Sequence, residues 1–147
     1  LDQGIGKLKK IHRNPKGRKA MSAVEEAKQA MEEYFAAFNA QDVEAMKSRL
    51  HFPFSWIINT RVRHVPDPGA FESPTRALIE SEGWHHSAFD YIEPVQVWEN
   101  KVHFTLAYSR YDAQGNRYVT HEALWIVTKV NGRWGICLMS LHIPKTP

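Results

Sequence analysis

Two groups of residues in this chain carry side chains that can do chemistry. The first is "GWHHSAFD", Gly83 to Asp90, which sets His85 and His86 behind Trp84 and places Asp90 four residues after His86. A histidine titrating near neutrality can hold or pass a proton. On a strand, adjacent side chains point to opposite faces, so only one of the pair can enter a site. Alternation by itself does not say which of the two enters. Asp90 shares the parity of His86 but lies about 13 Å along an extended strand, too far for direct contact.

The second group is His121, Glu122 and His142. Their geometry depends on Asn131-Gly132, the strongest hairpin signal in the chain. A two-residue type I′ turn there sets His121 opposite His142 on one face, with Glu122 on the other. A three-residue loop with a bulge brings Glu122 opposite Ser140 instead. The residues are compatible with both. Eight histidines raise the question of a metal, yet no H-x-H or HExxH spacing brings two ligands together. Neither a metal nor another cofactor is expected. There is no G-x-S-x-G elbow, and Cys137, the single cysteine, has no activating setting and reads as a small buried strand residue.

The elements that must position these groups follow from patterning. Ser22 and Glu25 form a capping box, and Val24, Ala27, Met31, Tyr34, Phe35 and Phe38 follow one helical face, so a helix is expected over 22–40. Asn39 suits its left-handed stop, and Asp42 the cap of a second helix through Leu50. Short strands are expected over 54–59 and 61–65. Asp67-Pro68 opens a third helical segment ending near Gly83, broken at Pro74. Beyond Trp84 the chain is β-rich. Strands are expected over 86–98 (disturbed near Pro94), 102–112, 118–129 and 133–143. Helices followed by an antiparallel meander make an α+β domain. Leu124 and Ile126 alternate with Trp125 and Val127, so the sheet is apolar on both faces. The helices can cover one, and a second copy of the chain would cover the other.

Composition bounds the rest. The 147 residues suit one domain, taken as 21–147, and the net charge of +3 is uneven. Leu1 to Ala20 carries seven basic side chains against one acidic, while the remaining residues carry 12 basic and 15 acidic. This arm is expected to be an upstream extension before Met21, with a nucleic-acid-binding tail as the functional alternative. The folded part lacks a surface that would grip nucleic acid, so no nucleic-acid partner is expected. No apolar run approaches the roughly 18 residues of a membrane span. One cysteine allows no intrachain disulfide, which fits a reducing, cytoplasmic setting.

In their order and spacing, "EEYFAAFNAQDVEAM", the strand pair around "FSWIIN", "GWHHSAFD" and "LWIVTKVNGRWGI" resemble the nuclear-transport-factor-2-like superfamily, in its SnoaL-like and ketosteroid-isomerase-like branch. The resemblance spans roughly Ser22 to Ile143. It implies a cone-shaped, strongly curved antiparallel sheet wrapped around a long N-terminal helix, a cystatin-like α+β barrel whose wider end opens into an apolar pocket. It also implies a homodimer through the outer sheet face. Members include isomerases, dehydratases, epoxide hydrolases, polyketide cyclases and non-catalytic binding or assembly domains, so fold alone does not decide function.

The resemblance assigns roles residue by residue. Tyr34 matches the position of an oxyanion-stabilising tyrosine in ketosteroid isomerases. The aspartate base of those enzymes would fall near Ile57 or Ile58, and neither can take a proton, so steroid-type isomerisation by that mechanism is not expected. His86 approximately matches a catalytic histidine of scytalone dehydratase, which implies that His86 turns inward and His85 outward, but Phe38 and Asn39 stand where that enzyme has a Tyr-Asp pair. Glu122 lies near the isomerases' protonated, oxyanion-binding acid if the hairpin here is about two residues longer. His86, Tyr34 and Glu122 are therefore the catalytic candidates, with Phe38, Trp56, Tyr108 and His121 as ligand contacts. The expected function is a small-molecule pocket protein doing proton-transfer chemistry (dehydration, cyclisation or isomerisation) on an apolar ligand. The alternative is a non-catalytic ligand-binding or dimeric interaction module.

Overall fold

The computed structural model describes residues 21–143, so the basic arm and the expectations attached to it lie outside the described residues. Helix α1, Ala23–Asn39, starts where Ser22 Oγ accepts the Glu25 backbone N–H at 3.1 Å. Its buried face carries Ala27, Ala30, Met31, Tyr34, Phe35, Ala37 and Phe38. The left-handed residue after it is Gln41 (φ 55°) rather than Asn39, which stays helical. Asp42 then caps α2, Val43–Ser48, through a 3.1 Å bond from the Ala45 N–H to Oδ1. This helix ends earlier than expected, because fully buried Leu50 already opens the next strand.

Six strands form one sheet: β1 Leu50–Ile58, β2 Arg61–Val65, β3 His86–Trp98, β4 Lys101–Tyr111, β5 Arg117–Val130 and β6 Arg133–Leu141, in the order β2-β1-β6-β5-β4-β3. Between β2 and β3 run a 3₁₀ turn, Pro68–Ala70, and helix α3, Thr75–Glu82, restarted after Pro74 and closed by left-handed Gly83 (φ 70°). The α+β class and the long helix against a curved sheet match expectation, with two corrections. The α1–α2 pair delivers the chain into β1 beside the start of β6, so those two strands run parallel. And β2 and β3 remain free edges, so the sheet is curved but does not close into a barrel.

Curvature enters through β-bulges, which bend a strand and increase its twist. On β3 the register shifts between Phe89 and Tyr91 and again between Pro94 and Gln96, the second at the expected proline. On the last hairpin, Asn131 (φ 52°) and Gly132 (φ 77°) make the two-residue primed turn, and Val130 pairs with Arg133 as the signal implied. A bulge at Cys137 then shifts the register, so Ala123 pairs with Leu141. Neither register expected for His121 and Glu122 therefore holds at the far end of the hairpin.

The concave face presents Phe54 and Trp56 from β1, Phe104, Leu106 and Tyr108 from β4, Trp125 and Val127 from β5, and Ile136 and Met139 from β6, all buried. Helix α1 packs across it, and Phe35 stacks on Phe89 with ring centroids 4.1 Å apart. A polar clamp sets the end of the helix against β3. The Asn39 side chain donates Nδ2–H to the Ser87 carbonyl and accepts the Ser87 N–H, both at 2.9 Å. An amide thus pairs with a backbone as another strand would. Asn39→Ala leaves two backbone groups without partners at a part-buried site, so a loss of about 1–3 kcal/mol is expected in urea denaturation. An unchanged midpoint would mean that the clamp contributes nothing.

Candidate functional site

A cavity of about 140 Å³ opens between α1 and the concave face. Its wall includes Tyr34, Phe35 and Phe38 from the helix, Trp56 from β1, Tyr108 from β4 and Trp125 from β5. The rings are locked edge-to-face. Tyr34 meets Trp125 at 5.9 Å and 88°, Phe35 meets Tyr108 at 5.2 Å and 83°, and Phe38 meets Trp84 at 5.2 Å and 83°. Such packing holds the wall rigid because each ring restrains its neighbour. Polar residues of the wall are few among the described residues: Tyr34, Tyr108, Ser87, Arg63 and Arg110.

The wall thus brings together four of the sequence-derived candidates: Tyr34, Phe38, Trp56 and Tyr108. Tyr34 is buried, and burial raises its phenol far above the ordinary value, with Tyr108 adding to the shift. It remains a proton-bearing donor across the working pH range. Tyr108 is also raised by burial, with Arg110 pulling it partly back. His121 faces inward, its ring 5.5 Å from that of Tyr108, and sits behind the wall rather than on it.

Two candidates point away. His86 pairs across the sheet with Tyr111 and stacks flat on its ring, 4.8 Å between centroids and 2° between planes. Its Nδ1 lies 3.0 Å from that of His85. The residue that enters is Ser87, whose Oγ accepts the Trp84 indole N–H at 2.9 Å. The expected inward turn of His86 is thus corrected by one residue. The cause is Phe89, which is anchored inward on Phe35 and gives its own parity, and not that of His86, to the concave side. Asp90 shares the outward side and accepts the Ser109 hydroxyl at 2.7 Å. Glu122 pairs with Ala107 on the outer face and is exposed, so it is not part of the cavity.

Sequence reasoning missed Arg110, which shares its strand parity with Val102, Phe104, Leu106 and Tyr108. That signal was available, because a charge on the apolar side of a strand is unusual. Arg110 Nη1 donates to both Glu82 oxygens, at 2.9 and 3.1 Å, and Tyr118 Oη donates to Glu82 Oε1 at 2.9 Å. Arg63 was missed as well. Its guanidinium lies 5.5 Å from the Trp56 ring centroid. Among the described residues no group of three or more His, Cys, Asp or Glu side chains is arranged to hold a metal ion.

With this geometry in place, similarities to known proteins become informative. A family model described as "NTF2-like protein (DUF6841)" matches residues 25–144. No curated protein matches the chain. Among solved structures, a protein of unknown function with a cystatin-like fold from Nostoc punctiforme superposes with a TM-score of 0.70 at 12% identity, covering 86% of this chain and 96% of that one. A ketosteroid isomerase-like protein from Erwinia carotovora atroseptica gives 0.61 at 19% identity, covering 82% and 95%. An NTF2-like protein from Novosphingobium aromaticivorans gives 0.64 at 11%, covering 84% and 83%. At these identities the likeness is one of fold.

His121 gives the site a measurable electrostatic signature. Burial, then the nearby Arg110 charge, lower its pKa from 6.5 to about 4, with Glu82 opposing weakly. Between those values the unfolded chain binds the proton and the folded chain does not, so stability falls as pH drops from about 6.5 toward about 4. The loss at this one residue should be on the order of 2 kcal/mol. A histidine NMR titration should find His121 neutral down to pH 5. A midpoint at or above 6 would contradict the placement.

Proposed function

The chain belongs to the NTF2-like family DUF6841, and from that premise we propose that it binds a small molecule built on a single apolar ring, in the cavity between α1 and the sheet. The observation that carries this reading is a rigid aromatic wall around about 140 Å³. That is the size of cavity that accepts a benzene ring, and it is too small for a fused four-ring skeleton. Binding without catalysis is the favoured form. His86 and Glu122 face outward, and no carboxylate lines the cavity among the described residues.

A proton-transfer enzyme is the second reading, favoured by one observation: Tyr34 presents an un-ionised phenol at the cavity, able to donate to a developing oxyanion. It draws on the isomerase-like neighbour. Its nearest base would be His121, behind Tyr108, and a group with a pKa of about 4 is a weak one. Titration of toluene and p-cresol into the labelled protein, followed by NMR, tests the main reading. Saturable shifts at Tyr34, Phe38 and Trp125 are expected. Leu141→Trp, which adds bulk at the half-buried rim, should abolish them while the protein stays folded. Shifts scattered over the surface, or none, would sink the reading.

We further propose that two chains pair through the outer sheet face. Leu124, Ile126 and Leu138 are only half-buried there, and Tyr91 and Trp98 are 44% and 46% exposed in the single chain. A stable interface buries about 800 Å² per partner. Light scattering after size exclusion should give about twice the 17.0 kDa of the chain; a mass of one chain at micromolar concentration would refute pairing. We also propose a reducing, cytoplasmic setting, supported by the single cysteine, which has no intrachain disulfide partner. No described helix is long and apolar enough to cross a membrane.

A further inference from the structure

We propose that the ring compound held in the cavity carries a carboxylate, and that Arg110 recognises it. This rests on the cavity-binding reading above. Arg110 is nine-tenths buried on the concave face, and a guanidinium taken out of water needs acceptors. Glu82 supplies them on one side only. Both of its oxygens meet the same nitrogen, Nη1, at 2.9 and 3.1 Å. A purely structural Arg–carboxylate pair would more often set two nitrogens against two oxygens. Here Nε is buried and has no hydrogen-bond partner among the described residues. The Nε–Nη2 edge donates no hydrogen bond to a described residue, while Glu82, off the cavity wall, accepts from Nη1 on the opposite side of the guanidinium.

The charge of the wall agrees. Among the described residues the cavity is lined by Arg63 and Arg110 and by no aspartate or glutamate. His121, next to Arg110, is kept neutral by burial and by that same charge, so it neither competes for the arginine nor adds repulsion. Tyr108 lies beside the guanidinium, whose carbon is 6.0 Å from its ring centroid, and both Tyr108 and Tyr34 stay phenols that can donate to an anion. A planar fork edge matches a carboxylate, which accepts two parallel N–H bonds. A phosphate would bring a second negative charge toward Glu82. The remaining wall is aromatic and fits the ring. The ligand class is therefore a monocarboxylate on one ring.

Calorimetry on the full chain decides it, using benzoate, phenylacetate and cyclohexanecarboxylate against benzamide and cyclohexylmethanol, with phenyl phosphate as a third arm. The carboxylates should bind at least about tenfold more tightly than the neutral compounds. Arg110→Gln should reduce that preference to about threefold or less. Arg110→Lys, which keeps a charge for Glu82 and so guards against misfolding, should do the same because it lacks the fork. Neutral compounds binding as well as carboxylates would overturn the inference and leave the cavity reading standing. So would tighter binding of phenyl phosphate, or a preference unchanged in Arg110→Lys. No binding by any ring compound would overturn both.

Discussion

Phe35 is the contact on which the rest of this structure depends. Its ring stacks on Phe89 of β3, meets Tyr108 of β4 and Trp125 of β5 edge-on, and touches both Tyr34 and Phe38 on its own helix. One side chain thus ties α1 to three adjacent strands. A single helix cannot fill the concavity of a six-stranded curved sheet, so the depth at which Phe35 seats decides how much space is left beside it. The remaining space is the cavity. Its wall is made of the same rings that anchor the helix, so fold and site share their stabilising contacts.

The polar groups of the concave face fit that economy poorly. Arg110 Nε, His121 Nδ1 and Trp125 Nε1 are all buried without partners among the described residues. Each such group costs about 1–3 kcal/mol relative to a satisfied one. Val102, Phe104 and Val127, fully buried on the same two strands, show that apolar residues pack there well. Unsatisfied nitrogens on an apolar surface are what a purely structural core avoids. The outer face carries one such nitrogen, His103 Nε2, while Ser109 there bonds Asp90 and Thr120.

Much of the fold was legible because local signals agreed with the tertiary outcome. The Ser22 cap, the break at Pro74, the stop at Gly83 and the Asn131-Gly132 turn each follow from one residue's backbone chemistry. What was not legible depended on long-range pairing. The parallel contact of β1 with β6, and the bulge at Cys137 that moves Glu122 and His142 out of their expected register, leave no local mark. For the cavity wall, period alone set Tyr34 and Phe38 on the buried face of the helix, and the resemblance singled them out. His86 was misplaced because its expected orientation came from analogy, while the inward parity of Phe89 was there to be read. Arg110 was passed over although its parity was plain. A charge on an apolar strand face is better evidence of a site than a pair of histidines at a strand's start.

In the proposed complex a ring seats against Phe35, Phe38 and Trp125 with its acid group on Arg110. The most direct measurement is a crystal structure of the protein soaked in 4-bromobenzoate, with anomalous data collected at the bromine edge. A single strong bromine peak inside the aromatic wall, with both carboxylate oxygens within hydrogen-bonding reach of Arg110 Nε and Nη2, is the predicted result. Bromine peaks confined to the outer sheet face, or a ring in the cavity with its carboxylate turned away from Arg110, would contradict it.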